Sequence, residues 1–173
     1  MLVEACLSGD HAAFGALVDI YETKLYNVAL RITGSRDDAM DVTQSAFVKA
    51  YEKLHTFDPS HRFFSWIYRI AINEALNMTR RRGAASGLDP EMARVDGDPE
   101  RLSSDREHRA VLHRALAELT PEYRAVVVLK HLQGLSYREI ADLLGIDETL
   151  VKSRLFSARQ RLRQALERLG VTG

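Results

Sequence analysis

The chain has 173 residues, 46% hydrophobic and 28% charged, a soluble composition and a length for one or two small domains. Its 24 Lys and Arg balance 24 Asp and Glu, which argues against a protein that grips DNA unaided, since neutralised phosphates supply most nonspecific affinity. The single cysteine, Cys6, excludes an internal disulfide and fits a reducing compartment. The start, MLVEACLSGD, has no long apolar core, so no signal peptide is expected, and no apolar run reaches the ~20 residues of a membrane span. A cytoplasmic protein without membrane insertion is expected.

In chain order, the first helix is marked by apolar residues at helical spacing, from Phe14, Leu17 and Val18 to Val28, Ala29 and Ile32. Asp10 caps its start and Gly34 its end. Ser35, with Asp38 three residues on, opens a second helix running to about Leu54. A third runs from about Phe63 to Arg80-Arg81-Arg82, where cations and Gly83 make a stop. The following stretch, GAASGLDPEMARVDGDPERLSS, is rich in Gly, Pro, Asp and Ser and reads as an acidic linker.

Helices resume near Ser104. Thr120-Pro121 starts another, ending at Gly134, and its Val126-Val127-Val128 run lies inside a helical pattern. Ser136 and Glu139 form a capping box for the next, which Gly145 ends. A last helix spans about Asp147 to Leu169 and carries Lys152, Arg154, Arg159, Arg161, Arg163 and Arg168. The fold expected is all-α: two small helical domains, 1–82 and 107–173, joined by a flexible acidic linker at 83–106.

The stretch GLSYREIADLLGIDETLVKSRLFSARQRL has the parts of a helix-turn-helix. Ala141 is the small residue where two helices cross, Gly145 makes the turn, and Ile140, Leu144, Ile146, Val151 and Leu155 anchor both. Outward on the second helix would be Glu148, Thr149, Lys152, Ser153, Phe156 and Arg159, types that contact base edges and phosphates. A helical hairpin with a solvated basic face is the other reading of the pattern.

The segment FDPSHRFFSWIYRIAINEALNMTRRR gathers Phe57, Phe63, Phe64, Trp66 and Tyr68 around His61, Arg62 and Arg69. Rings beside cations suit unstacked bases and their backbone. Asn73 and Asn77, one turn apart, offer amides to a base edge. Trp66, Ile67 and Ile70 also fit a plain core, and for Phe57, Phe63 and the Asp58-to-Arg62 loop both readings stand.

Three blocks in order carry a family resemblance: LYNVALRITGSRDDAMDVTQSAFVKAYEKL, FFSWIYRIAINEALNMTRRR and LSYREIADLLGIDETLVKSRLFSARQRLR. Together they resemble the extracytoplasmic-function (group IV) sigma factors of the sigma-70 family, over nearly the whole chain. The resemblance implies a transcription initiation factor with sigma regions 2 and 4. Its partners would be core RNA polymerase, promoter DNA and an anti-sigma factor, with a monomer when free and a role in stress response. The helix from Asp37 to Leu54 would dock on the polymerase through Asp38, Asp41, Val42, Gln44 and Phe47; core packing is the other reading for Val42 and Phe47. Phe57 to Arg82 would melt and read the minus-ten element. There the Asp58-Pro59-Ser60-His61-Arg62 loop would hold a flipped base, with Phe57 and Asn73 near the pocket and Phe63, Trp66, Arg69 and Asn77 around it. Lys152, Ser153 and Phe156 would face the minus-thirty-five groove, and the acidic linker would thread the polymerase's RNA channel.

Two positions depart from the family pattern. Thr149-Leu150 stands where relatives commonly have Gly-Thr, so Leu150 either packs inward or meets a thymine methyl, and Ser157 stands where many carry arginine.

Neither catalysis nor a cofactor or metal is expected. His11, His55, His61, His108, His113 and His131 show no metal-ligand spacing, Cys6 has no evident base, and no phosphate-binding glycine loop is present. The rival reading is an ordinary DNA-binding regulator with a sensing N-terminal domain. The basic-aromatic block speaks against it.

Overall fold

The computed structural model describes residues 2–82 and 103–171. These ranges hold eight α-helices: α1 (Leu2–Leu7), α2 (His11–Thr33), α3 (Arg36–Glu52), α4 (Phe63–Arg82), α5 (Ser103–Ala117), α6 (Pro121–Val127), α7 (Tyr137–Leu144) and α8 (Glu148–Arg168). A 3-10 turn at Leu54–Thr56 follows α3, and a π-type turn at Val128–Leu132 continues α6. No strand occurs among the described residues. The acidic segment lies outside them up to residue 102. Its last residues, from Ser103, already belong to α5.

Local signals set most boundaries. The Asp10 carboxylate accepts from the Ala12 and Ala13 amides, satisfying two donors that the helix start leaves free. Gly34 closes α2 in the left-handed region (φ 74°), where a side chain would be strained. Ser35 caps α3 through the Asp38 amide. The β-branched run Val126–Val128 is buried, and the helix widens directly after it: the Gln133 amide reaches the Val128 carbonyl at 3.1 Å.

Helices α2, α3 and α4 pack mutually, with α1 against α2. Leu25, Val28, Ile32, Val42, Ile67 and Ile72 fill their centre, all buried. In the second bundle α5, α6 and α7 pack on α8 around Val126, Leu129, Ile140, Val151 and Leu155.

The two bundles touch. Helix α4 packs on α7 and α6, and α2 packs on α6, so one apolar cluster runs through both. Polar contacts fix the seam. Arg124 of α6 donates to the Ile32 carbonyl at the end of α2 (2.9 Å), and Arg80 of α4 pairs with Glu122 of α6 (3.2 Å). Arg69 of α4 donates to the Asp142 carbonyl of α7. The Tyr68 hydroxyl lies 3.3 Å from the Lys24 carbonyl and 3.4 Å from Gln133 Oε1, with one proton to share between them.

Candidate polymerase and nucleic-acid interfaces

Helix α3 carries two stripes. Ala39, Val42, Thr43, Ala46, Phe47 and Ala50 face the core, and Asp38 goes with them. Asp37, Met40, Asp41, Gln44 and Val48 face solvent, with Met40 61% and Val48 57% exposed. Of the docking residues named from sequence, Asp41 and Gln44 are therefore on the surface, whereas Val42 and Phe47 pack in the core. Asp38 is 4% exposed and paired with Arg82 from the end of α4. Burial raises the Asp38 pKa, and the Arg82 charge opposes that rise without cancelling it. The exposed apolar pair Met40 and Val48 escaped the sequence reading. Their spacing around Gln44 repeats at four residues, a second apolar stripe beside the core stripe.

The loop before α4 is folded by its own side chains. Asp58 Oδ1 accepts from the Ser60 amide (2.9 Å), and the His61 amide donates to the Asp58 carbonyl (3.0 Å). Ser60 Oγ lies 3.1 Å from His61 Nδ1, which is 3.3 Å from Asp58 Oδ2. The Ser60 amide bond, foremost, holds the Asp58 pKa below its ordinary value. Ser60, His61 and Arg62 are exposed. Behind them Phe57 and Phe63 are buried and meet edge to face at 5.6 Å, and half-buried Trp66 closes the group 5.3 Å from Phe57 and 5.6 Å from Phe63. These rings pack on one another at the two ends of the loop, Phe57 before it and Phe63 and Trp66 after it.

Along α4 and from the residue just before it, Arg62, Trp66, Arg69, Asn73, Asn77 and Arg80 recur at three- and four-residue steps and make one stripe. All but Trp66 are exposed. Two of its cations are occupied by the second bundle, Arg69 by Asp142 and Arg80 by Glu122.

In the second bundle, α7 and α8 meet at Gly145 (φ 66°), and the Ile146 amide returns to the Ala141 carbonyl (3.1 Å). The capping box is complete: Ser136 Oγ accepts from the Glu139 amide, and the Glu139 carboxylate accepts from the Ser136 amide at 2.8 Å. The bonds that the Ser136 amide and hydroxyl donate to the carboxylate lower the Glu139 pKa. Val151, Leu155 and Ala158 bury one side of α8. Glu148, Thr149, Lys152, Ser153, Phe156 and Arg159 are all exposed, Phe156 at 65%, and Leu150 points outward too. Lys152 Nζ pairs with Glu148 at 2.8 Å, which raises the lysine pKa. A 65% exposed phenylalanine on a cationic helix is poor as core and suited to a partner.

Among the described residues no cluster of His, Cys, Asp and Glu is placed to hold a metal, and no helix is long and apolar enough to cross a membrane.

The family model for sigma-70 region 2 matches residues 17–85, and that for sigma-70 region 4 matches residues 109–162. The chain is 34% identical to the ECF RNA polymerase sigma factor SigW of Bacillus subtilis, over 93% of this chain and 92% of that one. This chain belongs to the extracytoplasmic-function group of the sigma-70 family. Other members resemble it as closely. The RNA polymerase sigma-H factor of Pseudomonas aeruginosa is 36% identical (97% and 93% covered) and the ECF sigma-E factor of Escherichia coli 34% (94% and 91%). The solved structure of CnrH in complex with the cytosolic domain of CnrY aligns with a TM-score of 0.70 and 29% identity, over 96% of this sigma factor and 95% of CnrH. In this sigma factor the region 2 match covers the α3 stripe and the α4 stripe, and the region 4 match covers α7 and α8 as far as Leu162.

Proposed function

We propose that this sigma factor binds core RNA polymerase and directs it to specific promoters, reading the minus-thirty-five element with α8 and opening the minus-ten element with α4 and the loop before it. Residues 1–82 act as region 2, the acidic segment from Gly83 threads the polymerase's RNA channel, and residues 107–173 act as region 4. The polymerase does the chemistry; this chain is not itself a catalyst and works in the cytoplasm. The observation that carries the reading is the order of two exposed faces: the α3 stripe of Met40, Gln44 and Val48 in the region 2 match, and the α8 face of Lys152, Ser153 and Phe156 in the region 4 match.

On α3, Asp37, Met40, Asp41, Gln44 and Val48 make the docking contacts, while Val42 and Phe47 hold the helix from inside. On α4 and the loop before it, Asn73 and Asn77 read an extruded base beside Ser60 and His61, and Arg62 tracks its backbone, joined by Arg69 once it leaves the Asp142 carbonyl. On α8, Lys152 and Arg159 take phosphates, Glu148, Thr149 and Ser153 offer polar groups to base edges, and Phe156 and Leu150 offer apolar contacts to thymine methyls. Control by an anti-sigma factor is inferred from CnrH, solved with the cytosolic domain of CnrY.

Run-off transcription from a promoter library, with core RNA polymerase and this protein added or withheld, tests the whole. Specific transcripts only in its presence are expected, and their upstream sequences give both elements. A protein that shifts duplex DNA alone and never supports initiation would be an ordinary regulator.

A further inference from the structure

Tyr137 is the first residue of α7, directly after the capping serine. It belongs to neither exposed face described above. Its ring is half-buried, and two ammonium groups lie over it: Lys130 Nζ at 4.8 Å from the centroid and Lys152 Nζ at 5.7 Å. Lys130 comes from the π-type turn, Lys152 from α8. Each has a second tether. Lys130 donates to the Leu135 carbonyl (3.1 Å), and Lys152 pairs with Glu148 (2.8 Å).

The tethers differ in what they do when a phosphate arrives. Glu148 repels it and competes for the same ammonium. The tyrosine ring holds a cation through its quadrupole and carries no net charge, so it can keep hold while the phosphate is bound. A lysine otherwise loses rotamer freedom when it is fixed on a partner. A ring that restricts it beforehand removes part of that cost. Lys130 also gains a role, because the shared ring places its charge beside the recognition helix.

We propose that Tyr137 is a positioning residue for DNA binding: its ring gathers Lys130 and Lys152 into one two-cation grip on the phosphate backbone next to the minus-thirty-five groove. The inference rests on α8 being the DNA-facing helix.

The test uses holoenzyme, core polymerase with this protein, and a duplex promoter recovered by run-off selection, with affinity measured over a salt series. Tyr137→Phe keeps the ring and should bind as the parent does. Tyr137→Leu should weaken binding about two- to fivefold. The salt slope should also become shallower, by up to ~0.9 for each phosphate left without its cation. In a chain already carrying Lys130→Ala and Lys152→Ala, Tyr137→Leu should cost nothing further. Equal loss in both backgrounds, or equal loss from Phe and Leu, overturns the proposal in favour of a packing role. A second measurement needs no DNA. The ε-methylene protons of both lysines should show ring-current shifts that survive Tyr137→Phe and vanish in Tyr137→Leu, and their absence from the parent protein also overturns it. If the ring-current shifts are present but neither lysine substitution changes affinity or slope, then α8 is not the DNA face, and the inference falls with that reading.

Discussion

The guanidinium of Arg124, in the second bundle, donates to the carbonyl oxygen of Ile32 at 2.9 Å, in the last turn of α2 in the first. The same group satisfies three carbonyls around the end of α5: Leu116 through Nε (2.9 Å), and Ala117 and Leu119 through Nη2 (3.1 Å each). It is only 7% exposed, and burial pulls its pKa down to about 10, which still leaves it charged at neutral pH. One side chain thus caps two helices and joins two bundles.

Arg124→Met keeps the apolar stem and removes every donor. A buried carbonyl left unpaired costs ~1–3 kcal/mol, and water entering the seam recovers part of that for four of them. A net loss of about 3 kcal/mol is expected, or roughly 10 °C in melting temperature by circular dichroism. A variant melting within two or three degrees of the parent would show that the seam is not held by this residue.

Much of this architecture is legible in the sequence because its signals are local. Asp10, Ser35, the Ser136–Glu139 pair, Gly34 and Gly145 act on backbone within four residues, so type and spacing suffice. The outward face of α8 follows from the helical period and a basic composition. The seam between bundles is not legible. Arg124 and Ile32 are 92 residues apart, Arg69 and Asp142 are 73 apart, and such pairs leave no periodic trace. Asp38 shows the same limit. An acid in the first turn of a helix reads as exposed, and only the return of α4 brings Arg82 over it. A single leucine near a helix start fits core and surface alike, so Leu150 could not be assigned from its type; its neighbour Val151 takes the core position.

Asp38 sets a pH dependence. Its folded pKa lies above the ordinary 3.8, with burial the leading cause. The folded chain therefore keeps this proton to higher pH than the unfolded chain. Its favourable contribution is complete below the unfolded value and is lost as pH rises through the folded one. Asp38→Asn removes that loss and leaves an oxygen for Arg82. Urea unfolding from about pH 4 to 7 should show the variant gaining on the parent as pH rises. Parallel curves would mean the carboxylate is as well solvated folded as unfolded.

At the alkaline end Tyr68 contributes a second pH dependence. Burial lifts its phenol from 10 to about 12, despite the opposing Arg31 charge. Between those values the unfolded chain releases a proton that the folded chain keeps, so the Tyr68 contribution to stability falls by roughly 2–3 kcal/mol, while the lowered Arg124 pKa acts in the opposite direction; the Tyr68 part is read as the difference from Tyr68→Phe. Ultraviolet titration should show a late-ionising tyrosine that is absent from Tyr68→Phe. A parent protein whose tyrosines all ionise near pH 10 while still folded would contradict the burial.

Val48→Asp tests the α3 stripe. Val48 is 57% exposed, so the change should leave the melting temperature within about 2 °C while cutting affinity for core polymerase at least tenfold. Val42→Asp should instead unfold region 2, because Val42 is fully buried. Unchanged polymerase binding by folded Val48→Asp would move the docking face elsewhere.

Asn73→Ala separates reading from docking. Asn73 is exposed on the α4 stripe, one turn from Asn77, and is not one of the exposed α3 residues, so its loss should spare both the fold and polymerase binding. An amide that pairs with the edge of an extruded base contributes only once the duplex opens. Open-complex formation, followed by permanganate reactivity of unpaired thymines, should then fall about three- to tenfold while closed-complex affinity stays near the parent's. Equal loss of both steps would mark Asn73 as part of the docking structure, and no loss in either would place the base pocket elsewhere along α4.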